Sequence, residues 1–196
     1  MVLNNNMKKY KQQGFTLLEL MIVVALMGVL MAVGIPSFNA MLTTNEMADT
    51  TNELMLSLRR ARAEAITSGR NTIVCSSIDG ATCSGATGNW NRGWLIMVDR
   101  NLDGSYLIAN DELLWVKELK SNTTITITPS PTSGTAGITN DFTDTVTFSY
   151  TGELEAGTAG EFHLCTGVTG SGFPRREISV SVGGEASLFK NTATNC

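Results

Sequence analysis

The chain has 196 residues, with 14 Lys and Arg, 18 Asp and Glu and a single His. Lys8, Lys9 and Lys11 fall in residues 1–14, which hold no acid, so the remainder carries eleven basic against eighteen acidic groups. That balance excludes general nucleic-acid affinity, which needs Lys and Arg clustered against phosphate, and the head that follows the apolar run has the length of one domain.

Gly14-Phe15-Thr16-Leu17-Leu18-Glu19 separates a Lys-containing polar start from an uncharged stretch running from Leu20 to Met41. The stretch is long enough to span ~30 Å of hydrocarbon. Glu19 stands at its edge, where an unpaired carboxylate costs several kcal/mol, and so requires an opposite charge. A secretory signal would place small residues after the apolar core. Here Ile35-Pro36-Ser37-Phe38-Asn39-Ala40 is a poor site of that kind, and the helical pattern runs through it. Residues 14–19 with the apolar run resemble the class III signal of type IV pilins and pseudopilins. The resemblance implies that a prepilin peptidase removes a leader, residues 1–14, by cutting between Gly14 and Phe15, and that it N-methylates Phe15. It also implies that Glu19 pairs with the N-terminal amine of a neighbouring subunit during assembly.

A long helix is predicted over 15–68, with 15–41 as its membrane and assembly segment and 42–68 as an amphipathic half. Apolar or small residues recur at Met41, Leu42, Ala48, Leu54, Met55, Leu58, Ala61, Ala65 and Ile66, near the 3.6-residue period. This stripe is expected to pack on the head, leaving the other half of the helix as a stalk. Pro36 removes a backbone hydrogen bond inside the helix and predicts a kink. Ser68-Gly69 predicts its end, Gly being suited to the left-handed turn beyond a helix.

Beyond Gly69 the period becomes two. Short strands are predicted at 71–75, 93–98, 106–109, 113–116, 124–128, 145–150, 161–165 and 177–182, between clusters of Gly, Asn, Asp, Ser and Pro. The class is α+β, with a mostly antiparallel head over 69–196. Pro129 to Asn140 reads as a polar loop long enough for mobility or a contact role, although a tolerated insertion is the better reading.

Cys75, Cys83, Cys165 and Cys196 lie in a head that would fold outside the cytoplasm, where disulfides persist. Four cysteines allow three pairings. Cys75 and Cys83 bracket a turn-rich loop that could close locally, which leaves Cys165 for Cys196. Zinc is disfavoured, because no Cys-x-x-Cys is present and His163 is the one histidine. Asp99, Asn101 and Asp103 before Gly104 look like the first half of a calcium loop, but the twelfth position is Asn110 and strands flank it, so a hairpin turn is the better reading. His163 reads as a packed or edge side chain; no nucleophile elbow, oxyanion loop or phosphate-binding Gly motif accompanies it. No enzyme activity and no cofactor are expected.

The run Leu58–Ile66, then Val74-Cys75, Trp90-Asn91-Arg92-Gly93-Trp94, Asp99–Gly104, Phe148–Gly152 and Phe162–Cys165 is similar in order to the GspH/FimT group of minor pilins and pseudopilins. The likeness covers nearly the whole chain after residue 14. It implies a head of two small antiparallel sheets against the long helix. It also implies a subunit inserted once through the bacterial inner membrane with its head in the periplasm, then drawn into a type IV pilus or type II secretion pseudopilus. The partners implied are other pilins or pseudopilins, prepilin peptidase and the inner-membrane assembly platform. DNA-binding members carry Gly-Arg-x-Arg near the C-terminus. Here Gly183-Gly184-Glu185-Ala186 stands there, and Arg175 and Arg176 just upstream read as a solvated strand edge. Nucleic acid is therefore not the expected partner, and the cysteines with the Thr-rich loop favour an adhesive pilus over a secretion pseudopilus.

Overall fold

The computed structural model describes residues 14–84, 89–103, 106–107, 109–119, 125–131, 145–155, 159–166 and 174–195. The chain divides into two units, Met1–Leu42 and Thr43–Cys196. Helix α1 (Leu17–Ser68) is continuous through Pro36 and stops at Gly69, whose φ of 66° is the left-handed turn a residue without Cβ adopts readily. In the first unit the described side chains of Phe15 to Leu42 are all exposed. No described residue of this chain buries that apolar surface, which is the condition of a helix made for lipid or for other helices.

In the second unit α1 buries Met47, Leu54, Leu58, Ala61 and Ala65, with Thr50, Thr51 and Ser57 on the same face. The spacing of three and four is that of one helical stripe. Thr51 tolerates burial because its hydroxyl donates to Met47 O at 2.6 Å. Met41, Leu42 and Ile66, expected in the stripe, are exposed. Ile66 follows Ala65 by one residue and is thereby rotated about 100° off the buried line.

Two four-stranded sheets complete the head, and every named pairing is antiparallel. The strands are β1 (Thr72–Ser76), β2 (Gly93–Val98), β3 (Glu112–Glu118), β4 (Ile125–Pro131), β5 (Thr145–Phe148), β6 (Gly160–Thr166), β7 (Pro174–Val180) and β8 (Ala186–Asn195). One sheet has the order β3-β2-β1-β5 and the other β4-β6-β7-β8. The chain thus leaves the first sheet for β4, returns to its far edge as β5, and finishes in the second. Pro129 and Pro131 lie in β4, an edge strand, where a missing N–H does least harm.

A single core joins α1 to one face of each sheet. Val74, Trp94, Ile96, Val146 and Phe148 come from the first sheet, and Ile125, Ile127, Phe162, Leu164, Ile178 and Val180 from the second. Trp90, on the short 3₁₀ turn Asn89–Asn91, meets Phe162 edge-on with ring centroids 4.8 Å apart. The first sheet is buried on its other face too: Ile73, Cys75, Leu95 and Met97 form a second cluster under Cys83, Tyr106 and Val116.

One expected strand is absent from the described residues and one strand was not expected. In the expected strand 106–109 the described residues Tyr106, Leu107 and Ala109 are not in a strand: Leu107 N–H donates to Asp111 Oδ2 at 2.7 Å, and Leu107 O accepts the N–H groups of Asn110 and Asp111. β8 was not expected, because Ala186–Asn195 lacks a period-two pattern; the β7 register holds it, with Ile178 opposite Leu188 and Glu177 opposite Phe189. Most of the Pro129–Asn140 loop lies outside the described residues, which resume at β5 after Pro131.

Candidate functional site

The assembly segment begins with a cap. Thr16 Oγ1 accepts the backbone N–H of Glu19 at 3.2 Å, and Thr16 O accepts that of Leu20 at 3.2 Å. Thr16 is therefore the N-cap and Glu19 lies in the first turn, where a carboxylate meets the positive end of the helix dipole. Thr16 escaped the functional reading of the sequence, although Thr-x-x-Glu is a capping-box signal. Phe15 is 85% exposed, and Glu19 is the one charged residue between Gly14 and Asn45. A Cβ built on Gly14 would meet nothing within 4 Å. The described residues thus impose no need for glycine at that position.

In the head, Cys75 and Cys83 form a disulfide with Cα atoms 5.5 Å apart, which closes the loop over the second cluster. Cys165 is also disulfide-bonded, and Cys196 lies outside the described residues. Asp79 organises the closed loop. Its Oδ1 accepts the N–H groups of Thr82 and Ala81 at 2.8 Å each, and its Oδ2 accepts the Thr82 hydroxyl at 2.8 Å. These donors, led by the Thr82 N–H, hold the carboxyl well below the usual carboxylate range. Burial pushes the Tyr106 hydroxyl above its usual range, with Thr147 as its hydrogen-bond partner.

Asp99, Asn101 and Asp103 are spent on their own turn. Asp99 Oδ1 accepts Leu102 N–H at 2.7 Å, and Asn101 Nδ2 donates to Asp103 Oδ2 at 2.6 Å. Asp111 joins from across the loop by accepting Arg100 N–H at 3.0 Å. Gly104 lies outside the described residues. His163 Nε2 lies 3.2 Å from Glu161 Oε2 on the same strand face. Arg175 bonds Glu177, two residues along β7, with Nε 2.7 Å from Oε1. Its guanidinium is thus committed inside the chain, while Arg176 sits opposite Leu164 and Lys190 in the ladder.

The structure also gathers residues the sequence reading left apart. Arg62 Nε donates to Gly152 O at 2.9 Å and Arg59 Nη2 to Ala186 O at 3.3 Å. Gly184 N–H bonds Ser181 O in a turn beside them, and Leu154 N–H bonds Val182 O. Arg59, Arg62, Ala63 and Ile66 thereby share a cleft of about 360 Å³ with Gly184–Ala186.

Comparison with known proteins agrees with this architecture. The family model for Type II transport protein GspH matches residues 50–184, and that for the prokaryotic N-terminal methylation motif matches residues 9–35. Type IV major fimbrial protein FimA of Dichelobacter nodosus is 37% identical over 105 residues, 53% of this chain and 62% of that protein. A Dichelobacter nodosus fimbrial protein is 36% identical over 98 residues, 50% of the chain and 57% of its own length. The chain thus spans about three fifths of the length of the curated relatives it matches. Among solved structures, the type IV minor pilin FimU of Pseudomonas aeruginosa strain PAO1 superposes with a TM-score of 0.53. That match covers 77% of this chain and 92% of FimU at 20% identity, and speaks for the fold. One long apolar N-terminal helix, two antiparallel sheets and a GspH match over most of the chain place the protein: it belongs to the GspH family, structural pilin-like proteins and not enzymes.

Proposed function

We propose that the chain is a minor pilin or pseudopilin that joins or initiates a filament after prepilin peptidase processing. The leader is cut between Gly14 and Phe15, Phe15 is N-methylated, and residues 15–41 hold the subunit in the inner membrane with its head in the periplasm. The assembly platform then takes it into the filament beside other pilins. One observation carries the reading: an N-terminal methylation motif over 9–35 whose apolar helix has Glu19 as its one charge, in the same chain as a GspH head. Among helices in a filament core that carboxylate would be desolvated and tolerable only beside an opposite charge, which the methylated amine of a neighbouring Phe15 would supply.

A type IV pilus is favoured over a secretion pseudopilus by the curated relatives, which are type IV fimbrial proteins. Nothing favours DNA binding, since Arg175 is held by Glu177 and Glu185 stands between Gly184 and Ala186. The test is Glu19→Val. It removes the burial cost together with the pairing, so the variant should insert and accumulate in the membrane normally yet fail to co-purify with the other pilins. Normal co-purification at equal membrane level would overturn the role given to Glu19.

A further inference from the structure

The densest positive charge on the head is Arg59, Arg60 and Arg62, three arginines within four residues of α1 in a chain whose residues 15–196 are acidic. Each is fixed by a different contact. Arg59 donates to Ala186 O, Arg62 donates to Gly152 O, and Arg60 lies 5.0 Å above the Trp115 ring. A guanidinium has five N–H donors in a rigid fork, and these carbonyl bonds use one donor each on Arg59 and Arg62. Both side chains line the 360 Å³ cleft against the Gly184–Ala186 turn, where Glu185 is the single carboxylate among the described lining residues. The site therefore keeps a net positive charge, with its arginines oriented before any ligand arrives.

The cleft has an apolar wall in Ile66, 52% exposed, and the two turns that meet Arg62 carry the exposed side chains of Tyr150 (62%) and Val182 (47%). Oriented guanidiniums beside exposed aliphatic and aromatic groups are the composition of a protein interface rather than of a phosphate track. We propose that this cleft is the docking site on the head for a carboxylate-bearing loop of an adjacent pilin-family subunit. Charge complementarity selects that occupant. Heads as acidic as this one repel each other on average, and a cleft that presents oriented arginines is where another head's carboxylates are attracted instead. The inference rests on the filament reading given above.

Cross-linking in cells that express the full chain with its companion pilins tests it. A photoreactive benzoylphenylalanine at Ala63, an exposed position lining the cleft, is expected to capture the head of another pilin-family subunit through a peptide containing Asp or Glu. Arg59→Glu should lower the yield roughly tenfold, and Arg60→Glu, off the cleft, should leave it unchanged. Capture of nucleic acid, lipid or an unrelated protein overturns the proposal, as does a pilin adduct indifferent to Arg59→Glu. The same probe at Leu26, in the apolar segment, separates the two ideas. Adducts to pilins at Leu26 but none at Ala63 defeat the docking site and leave the filament reading standing, whereas none at either position defeats both.

Discussion

The indole N–H of Trp94 donates to the Ser57 hydroxyl at 2.8 Å, with both residues buried between α1 and β2. This bond ties the helix to the central strands of the first sheet at the point where the apolar stripe admits a polar group. Ser57→Ala should leave a buried donor without its partner and destabilise the head by about 1–3 kcal/mol. Thr67→Ala, which loses only an exposed bond to Ala63 O, should stay within about 0.5 kcal/mol of wild type. Denaturant melts of both variants in detergent check the contrast, and equal midpoints would show that the Trp94 bond contributes nothing net.

Gly184 is irreplaceable for a local reason. Its φ is 75°, and a Cβ there would lie 2.1 Å from Gly152 O, the same carbonyl that Arg62 holds. Gly184→Ala should cost about 1–3 kcal/mol in backbone strain alone, with the clash in addition. A lower melting temperature with faster exchange of the Gly152 and Leu154 amides is the expected signature.

Opening the Cys75–Cys83 loop should cost about 2–3 kcal/mol by the entropy of so short a closure. Cys83→Ser is expected to lower stability and to make Met97, now under that loop, oxidisable by peroxide. Peptide mapping without reductant should recover the Cys75–Cys83 pair and a second linked pair, Cys165 with Cys196, as expected from the sequence.

Asp79 makes the same loop acid-sensitive. A carboxyl lowered in the folded state contributes stability that is fully present above its unfolded value, near 3.8, and is lost as pH falls from there toward the depressed folded value. Protection of the Ala81 and Thr82 amides should therefore decline through that acidic window in wild type. In Asp79→Asn it should be lower at neutral pH and flat across the window.

Gly14→Val should fold normally, because a Cβ there meets no described residue within 4 Å. Its effect should be confined to processing, with unprocessed precursor retained in the membrane. Mass spectrometry that finds a normal mature start at Phe15 would refute this.

The period of 3.6 up to Ser68, the glycine that follows it, and most of the two-residue alternation beyond were legible in the amino-acid order alone, because hydrophobic spacing and turn chemistry are local properties. The Gly14–Glu19 motif was legible for the same reason, whereas the cap that Thr16 makes to Glu19 N–H within it emerged from the structure. What residues far apart do to each other was not. β1 and β2 are buried on both faces, as the unbroken apolar run Trp94–Val98 suits, but that a disulfide loop and Tyr106 are what cover the second face is decided by residues outside those strands. β8 exists through its register with β7, and Leu107 is kept out of a strand because Asp111, in the next segment, accepts its N–H. The arginine cleft joins residues 59–66 to residues 184–186, and only the close approach of two turns to the helix end, permitted by a glycine with positive φ, brings them together.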